Sequence, residues 1–114
     1  MTTDQIRDEL ARRAGWEFRS AFGNHWWRRV ADGGDHEDSD DHPFPPTLDG
    51  AASAMPEGWW WSRYETVADG GKWCAGPRGG LASVCVYDTG DPVHDLYALA
   101  LACVRAKENS NGKA

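Results

Sequence analysis

The chain has 114 residues, which gives room for one domain with a real core but not for two. Its 12 Lys and Arg stand against 18 Asp and Glu, a formal charge of −6, and six of the carboxylates (Asp32, Asp35, Glu37, Asp38, Asp40, Asp41) fall in the stretch 32–42, which holds no Lys or Arg, so the remainder is neutral. A neutral domain with an acidic segment is poorly equipped to neutralise phosphates, which argues against nucleic acid as a partner, and no apolar run approaches the roughly 20 residues of a membrane span.

The first element is a helix. Thr2 with Gln5 three residues later fits a capping box, and Ile6, Leu10 and Ala14 at four-residue intervals predict a helix over 4–14 that Gly15 stops. Trp16, Phe18 and Phe22 interleave with polar residues and are assigned no element. The aromatic and branched residues of His25–Val30 predict a strand over 25–31. The acidic stretch 32–42 has nothing apolar to bury and is expected to be a mobile, solvated insertion.

Leu48, Ala51, Ala52 and Met55 mark one face of a short helix that Pro56 ends. Trp59–Val67 has strand composition, Asp69-Gly70-Gly71 turns it into Lys72–Ala75, and the glycine-rich turn 76–80 leads to a third strand over 81–87. Connections this short favour antiparallel pairing. Asp91 caps a final helix over 92–107, with Pro92 at its first position and Val93, Leu96, Tyr97, Ala100, Leu101 and Val104 at helical spacing. Its uncharged arc is wider than packing on one sheet needs. The arc is therefore expected to be buried throughout the monomer or to form a homodimer contact along Leu99, Ala102 and Cys103. The tail 109–114 should fray. The fold class is α+β, an antiparallel sheet of three to four strands layered between helices as an α-β-α sandwich, with its core over 4–106.

Three cysteines, Cys74, Cys85 and Cys103, include no C-x-x-C pair, and Cys85 and Cys103 sit among apolar residues. All three are expected to be reduced, with no zinc site and a cytoplasmic location.

The order of features resembles a known family. A helix closed by Gly15-Trp16, then Trp26-Trp27, then His42-Pro43-Phe44-Pro45-Pro46-Thr47-Leu48-Asp49 entering a helix at Ala51-Ala52, a Trp-containing meander and a terminal Ala/Leu helix together resemble the phage ABA-sandwich domain. That family comprises small phage and prophage proteins with an antiparallel sheet between helices, and the resemblance spans about residues 4–106. It implies the layered fold and a phage or prophage accessory role, and it supplies no site residues. The acidic stretch and the early stop at Pro56 depart from its pattern.

The sequence holds no Gly-x-Ser-x-Gly and no phosphate-binding glycine loop, and no cofactor is implied. His94 beside Asp91 and Asp95 is the one arrangement with the makings of a base. The outstanding feature is seven tryptophans. Alternation along 59–67 puts Trp59, Trp61, Arg63, Glu65 and Val67 on one face and Trp60, Ser62, Tyr64 and Thr66 on the other; the second face is expected either to pack under a helix with its hydroxyls turned to backbone partners, the simpler reading, or to serve as a ligand platform. The candidate binding residues are thus Trp60 and Tyr64, with Arg28, Arg29, Arg63 and Arg78 to hold an anionic group. The leading reading is a non-catalytic accessory protein that binds a host protein or itself as a homodimer. The alternative is a small-ligand protein that sequesters a nucleotide signal.

Overall fold

A computed structural model describes residues 1–68 and 70–111. Asp69 of the expected turn, residues 112–114 of the expected tail and the side chains of Thr66, Ser110 and Asn111 lie outside the described residues. The chain is α+β, with three helices and two three-stranded antiparallel sheets. Helix α1 (Thr3–Arg13) leads into β1 (Trp16–Ala21), β2 (Asn24–Val30) and β3 (His36–Ser39), which form the first sheet in that order. After α2 (Leu48–Ser53), strands β4 (Trp59–Thr66), β5 (Gly70–Pro77) and β6 (Val84–Tyr87) form the second sheet, and α3 (Pro92–Asn111) closes the fold. None of the helices among the described residues is long and apolar enough to cross a membrane.

The capping box at Thr2 forms as expected, with the Thr2 hydroxyl accepting from the Gln5 amide and the Gln5 side chain accepting from the Thr2 amide. At α3 the Asp91 carboxylate accepts from the His94 amide at 3.2 Å. The helix runs on through Asn109–Asn111, where fraying was expected. Its apolar circumference is accounted for inside the monomer. One side of α3 packs on β5 and β6, others on α1 and α2, and Leu96, Leu99, Ala100 and Cys103 are all fully buried. Leu99 and Cys103 are consequently not available to a homodimer contact. Burial also pushes the Cys103 thiol up to about 12, which disfavours the thiolate and suits a cysteine packed as a small hydrophobe.

Two expectations are corrected in the first sheet. Trp16–Ala21 is a strand, joined to β2 by a two-residue turn in which Phe22 (φ 53°) and Gly23 (φ 80°) both take the left-handed conformation that twists a tight hairpin correctly. The acidic stretch is not a free loop. After a single 3-10 turn at Asp32–Gly34, β3 pairs with β2 in a register that sets Asp38 opposite Arg28 and Glu37 opposite Arg29. Arg28 Nε lies 2.9 Å from Asp38, and Arg29 Nη2 lies 2.9 Å from Glu37. Opposite charges across a strand pair supply what the segment lacks in apolar burial.

The proline-rich connection 43–46 ties the two halves together. Arg7 Nε donates to the Phe44 carbonyl at 2.7 Å, the buried Tyr97 hydroxyl donates to the Pro45 carbonyl, and Gly50 at the start of α2 lies against both Tyr97 and Pro45. A Cβ at position 50 would clash with the Pro45 carbonyl oxygen and stand 2.7 Å from the Tyr97 hydroxyl. Gly50→Ala is accordingly expected to destabilise the protein by about 1–3 kcal/mol, read as a lower denaturant midpoint at unchanged slope. An unaltered midpoint would mean that the 43–50 segment is not packed against α3 as described.

Candidate functional site

The second sheet has two unlike faces. Register and alternation place Trp59, Trp61 and Arg63 of β4, Trp73 and Ala75 of β5, and Val84 and Val86 of β6 on the face toward α3, where Trp73 and Ala75 are buried in the main core. The opposite face carries Trp60, Ser62 and Tyr64, then Lys72 and Cys74, then Cys85 and Tyr87. Tyr64, Cys85 and Tyr87 are exposed, Tyr87 by 72%. Among the described residues, helices therefore cover one side of this sheet and leave its outer side open.

A groove of ≈520 Å³ lies on that open side, lined by Trp60, Tyr64, Lys72, the cysteine pair and the 80–82 turn. Its parts are fixed from several directions. Trp60 Nε1 donates to the Gly80 carbonyl at 3.0 Å, which satisfies the indole's one donor and holds the ring beside the β5–β6 connection. Leu81, 89% exposed, rises from that connection. Across the strands the register sets Tyr64, Lys72 and Tyr87 in one row, an ammonium between two aromatic side chains. Lys72 is the one charged side chain among the groove's lining residues, in a chain whose net charge is −6.

Cys74 and Cys85 form a disulfide across the floor of the groove, which corrects the expectation of three free thiols. They are directly opposite in the register, with Cα atoms 4.1 Å apart, as in a strand pair whose own backbone bonds point away. Loop closure over the 11-residue separation corresponds to about 3 kcal/mol. Their symmetry was available in the sequence, since each cysteine lies five residues from the Gly79-Gly80 turn.

The six sequence-selected residues do not converge. Trp60 and Tyr64 meet in the groove, as the alternation argument expected. Arg63 points to the α3 side, where it pairs with Asp88 and lies 3.4 Å from Glu65, and together with the Gly90 amide it holds the Asp88 carboxyl at about 2. Arg28 and Arg29 are engaged on the first sheet with Asp38 and Glu37. Arg28 also borders a separate polar depression of ≈610 Å³ with Trp26 and Asp40. Arg78 lies in the exposed β5–β6 connection and does not line the groove. Alternation missed Lys72 and Tyr87, because their place on the face depends on pairing between strands and not on β4 alone, and it missed Leu81, which the β5–β6 connection brings to the groove.

Neither His94 nor His42 is set up as a base. His94 Nδ1 lies 2.8 Å from the Thr3 hydroxyl, while Asp91 caps the helix backbone and the buried Asp95 carboxylate takes the Thr89 amide and hydroxyl. His42 accepts from the Phe44 amide at Nδ1 (3.0 Å), so its proton is on Nε2 and donates to Asp8 (2.9 Å). Both nitrogens are thereby committed to holding the 42–46 connection.

No family model matches the chain, and no match was found among the curated proteins or the solved structures.

Desolvation beside Trp27 lowers the His42 pKa, outweighing the raising effect of Asp8. A folded pKa below the unfolded value means that this contribution to stability is complete above about pH 6.5 and is lost as pH falls through the depressed folded value. Protonation of Nδ1 would also remove the acceptor for the Phe44 amide. Unfolding free energy is expected to fall as pH drops below about 6.5, and His42→Gln, which cannot titrate, is expected to flatten that dependence. An identical slope in both proteins would contradict the depressed His42 pKa.

Proposed function

We propose that the chain is a non-catalytic binding protein, of the phage or prophage accessory kind that its sequence resembles, and that it recognises a protein partner through the open face of β4–β6. The phage setting rests on the sequence resemblance alone. What supports the binding reading is the concentration of exposed Tyr64, Leu81 and Tyr87 around half-buried Trp60, on a sheet face with a single ammonium and a rigid disulfide floor. Exposed apolar side chains scattered singly need no explanation, but here exposed Tyr64 and Leu81 line one groove with half-buried Trp60, and exposed Tyr87 stands on the same sheet face, a concentration of the kind that marks interaction sites. Aromatic residues beside a lone cation suit a partner segment that offers an apolar side chain next to a carboxylate.

A small ligand is the second reading. The groove volume falls in the range of small-molecule sites, and the Trp60 ring offers a stacking face. The nucleotide version has little support, because Arg28, Arg29 and Arg63 are paired elsewhere and leave Lys72 as the one cation among the described residues that line the groove. The cytoplasmic placement expected from the sequence loses its cysteine argument as well, since a lasting Cys74–Cys85 bond suits an oxidising setting.

A photoreactive phenylalanine analogue at Tyr87 or Leu81 is expected to give one discrete protein adduct in cells, abolished by Lys72→Glu, while the same probe at the exposed Phe18 of the first sheet gives none. Absence of an adduct from the groove positions, with a melting-point rise on adding one member of a small-molecule panel, would replace the protein partner by a ligand. Adducts of equal yield at Phe18 and Tyr87 would remove both readings of this face.

A further inference from the structure

Strand β4 is an edge strand, paired with β5 alone among the described residues. The Ala75 and Gly71 carbonyls accept from Ser83 and Asp88 on the β6 side, so the odd-numbered residues of β5 turn their backbone groups to β6 and the even-numbered ones to β4. Trp60, Ser62 and Tyr64, opposite Gly76, Cys74 and Lys72, are therefore bonded inward, and Trp61, Arg63 and Glu65 turn their N–H and C=O groups to the free edge. Proteins blunt such edges with proline, lysine, bulges or a covering element. Over its eight residues, Trp59–Thr66, this edge has no proline, lysine or bulge and no covering element among the described residues; its charged side chains are one of each sign, Arg63 and Glu65. Helix α3 packs on β5 and β6 and leaves Trp61 40% exposed, and Val67 just beyond the strand is fully exposed.

We propose that β4 pairs antiparallel with β4 of a second copy of this chain, about a two-fold axis at Tyr64. The free backbone groups admit self-pairings centred on Ser62, Arg63 or Tyr64, and charge selects among them. Centring on Arg63 sets Arg63 against itself and Trp61 against Glu65. Centring on Ser62 sets Arg63 against Trp61 and gives Glu65 no cation. Centring on Tyr64 sets Arg63 against Glu65 of the second copy twice over, with Trp61 against Val67, so that opposite charges and exposed apolar side chains both find partners. Within its own chain Arg63 already pairs with Asp88 and lies 3.4 Å from Glu65, whose side chain is 74% exposed, so the second copy's charges add to an existing ionic cluster at the edge. The product is one six-stranded sheet with both α3 helices on one side and both Trp60–Tyr64 grooves on the other. The inference concerns the strand edge and does not depend on what the grooves bind.

In sedimentation equilibrium the wild-type chain is expected to dimerise in the micromolar range. Glu65→Lys opposes like charges, and Glu65→Pro removes a free-edge donor while leaving the β5 pairing intact. Each is expected to weaken the dimer by at least about tenfold with an unchanged circular dichroism spectrum. Register is tested separately: Tyr64→Cys should give a covalent dimer on a non-reducing gel, because a residue on the axis faces its own copy at disulfide distance, and Trp60→Cys should not. A wild-type chain that stays monomeric, a dimer that survives both Glu65 variants, or equal cross-linking by Trp60→Cys would overturn the proposal. Loss of the dimer in Glu65→Lys with retained photo-adducts at Tyr87 would leave the outer-face reading standing, so the two can fail independently.

Discussion

The burial of α3 is the constraint on which the rest of the molecule depends. A helix with fully buried Leu96, Tyr97, Leu99, Ala100 and Cys103 needs apolar neighbours on several sides, and this chain supplies them from β5, β6, α1 and α2 at once. Each fully buried aliphatic side chain is worth about 1.5–3 kcal/mol relative to exposure, so α3 fixes the positions of the elements around it. The same helix reaches the proline-rich connection through the Tyr97 hydroxyl and so also sets where the first sheet hangs. With one helix serving as the common core, none of the described helices remains to cover the far side of β4–β6.

That asymmetry turns a sheet into a surface. The face toward α3 takes the core side chains Trp73, Ala75, Val84 and Val86, whereas the outer face keeps aromatic side chains that no packing requirement explains. The disulfide makes this face rigid by joining β5 to β6 beneath the groove, and the Trp60–Gly80 hydrogen bond joins β4 to the connection beside it. A recognition surface built on paired strands with a covalent floor loses little conformational entropy on binding.

Much of this was legible in the residues, and the gaps have physical causes. Local signals carried α1, α2, α3 and the β4–β6 meander, because caps, periodicity and glycine turns act within a few residues of each other. The split of Trp60 and Tyr64 from Trp59 and Trp61 followed from strand alternation alone. Strand β1 was missed because its turn puts Phe22 in a left-handed conformation that nothing in a phenylalanine announces. Strand β3 was read as a loop because His36–Ser39 has no strand propensity of its own and depends on Arg28 and Arg29 from the neighbouring strand. The arginines were grouped by charge, yet each has an ionic partner or a location that only the pairing registers reveal.

The account's central claim is that α3 covers one face of β4–β6 and leaves the Trp60–Tyr64 face open. Hydroxyl-radical footprinting of the native protein addresses it directly, because side-chain oxidation follows solvent access and can be located by mass spectrometry. Tyr64, Leu81 and Tyr87 should be oxidised readily while Trp73 and Tyr97 stay protected until the protein unfolds. Protection of Tyr64 and Tyr87 together with oxidation of Trp73 would show that the sheet presents its other face, and the proposed surface would have to be abandoned.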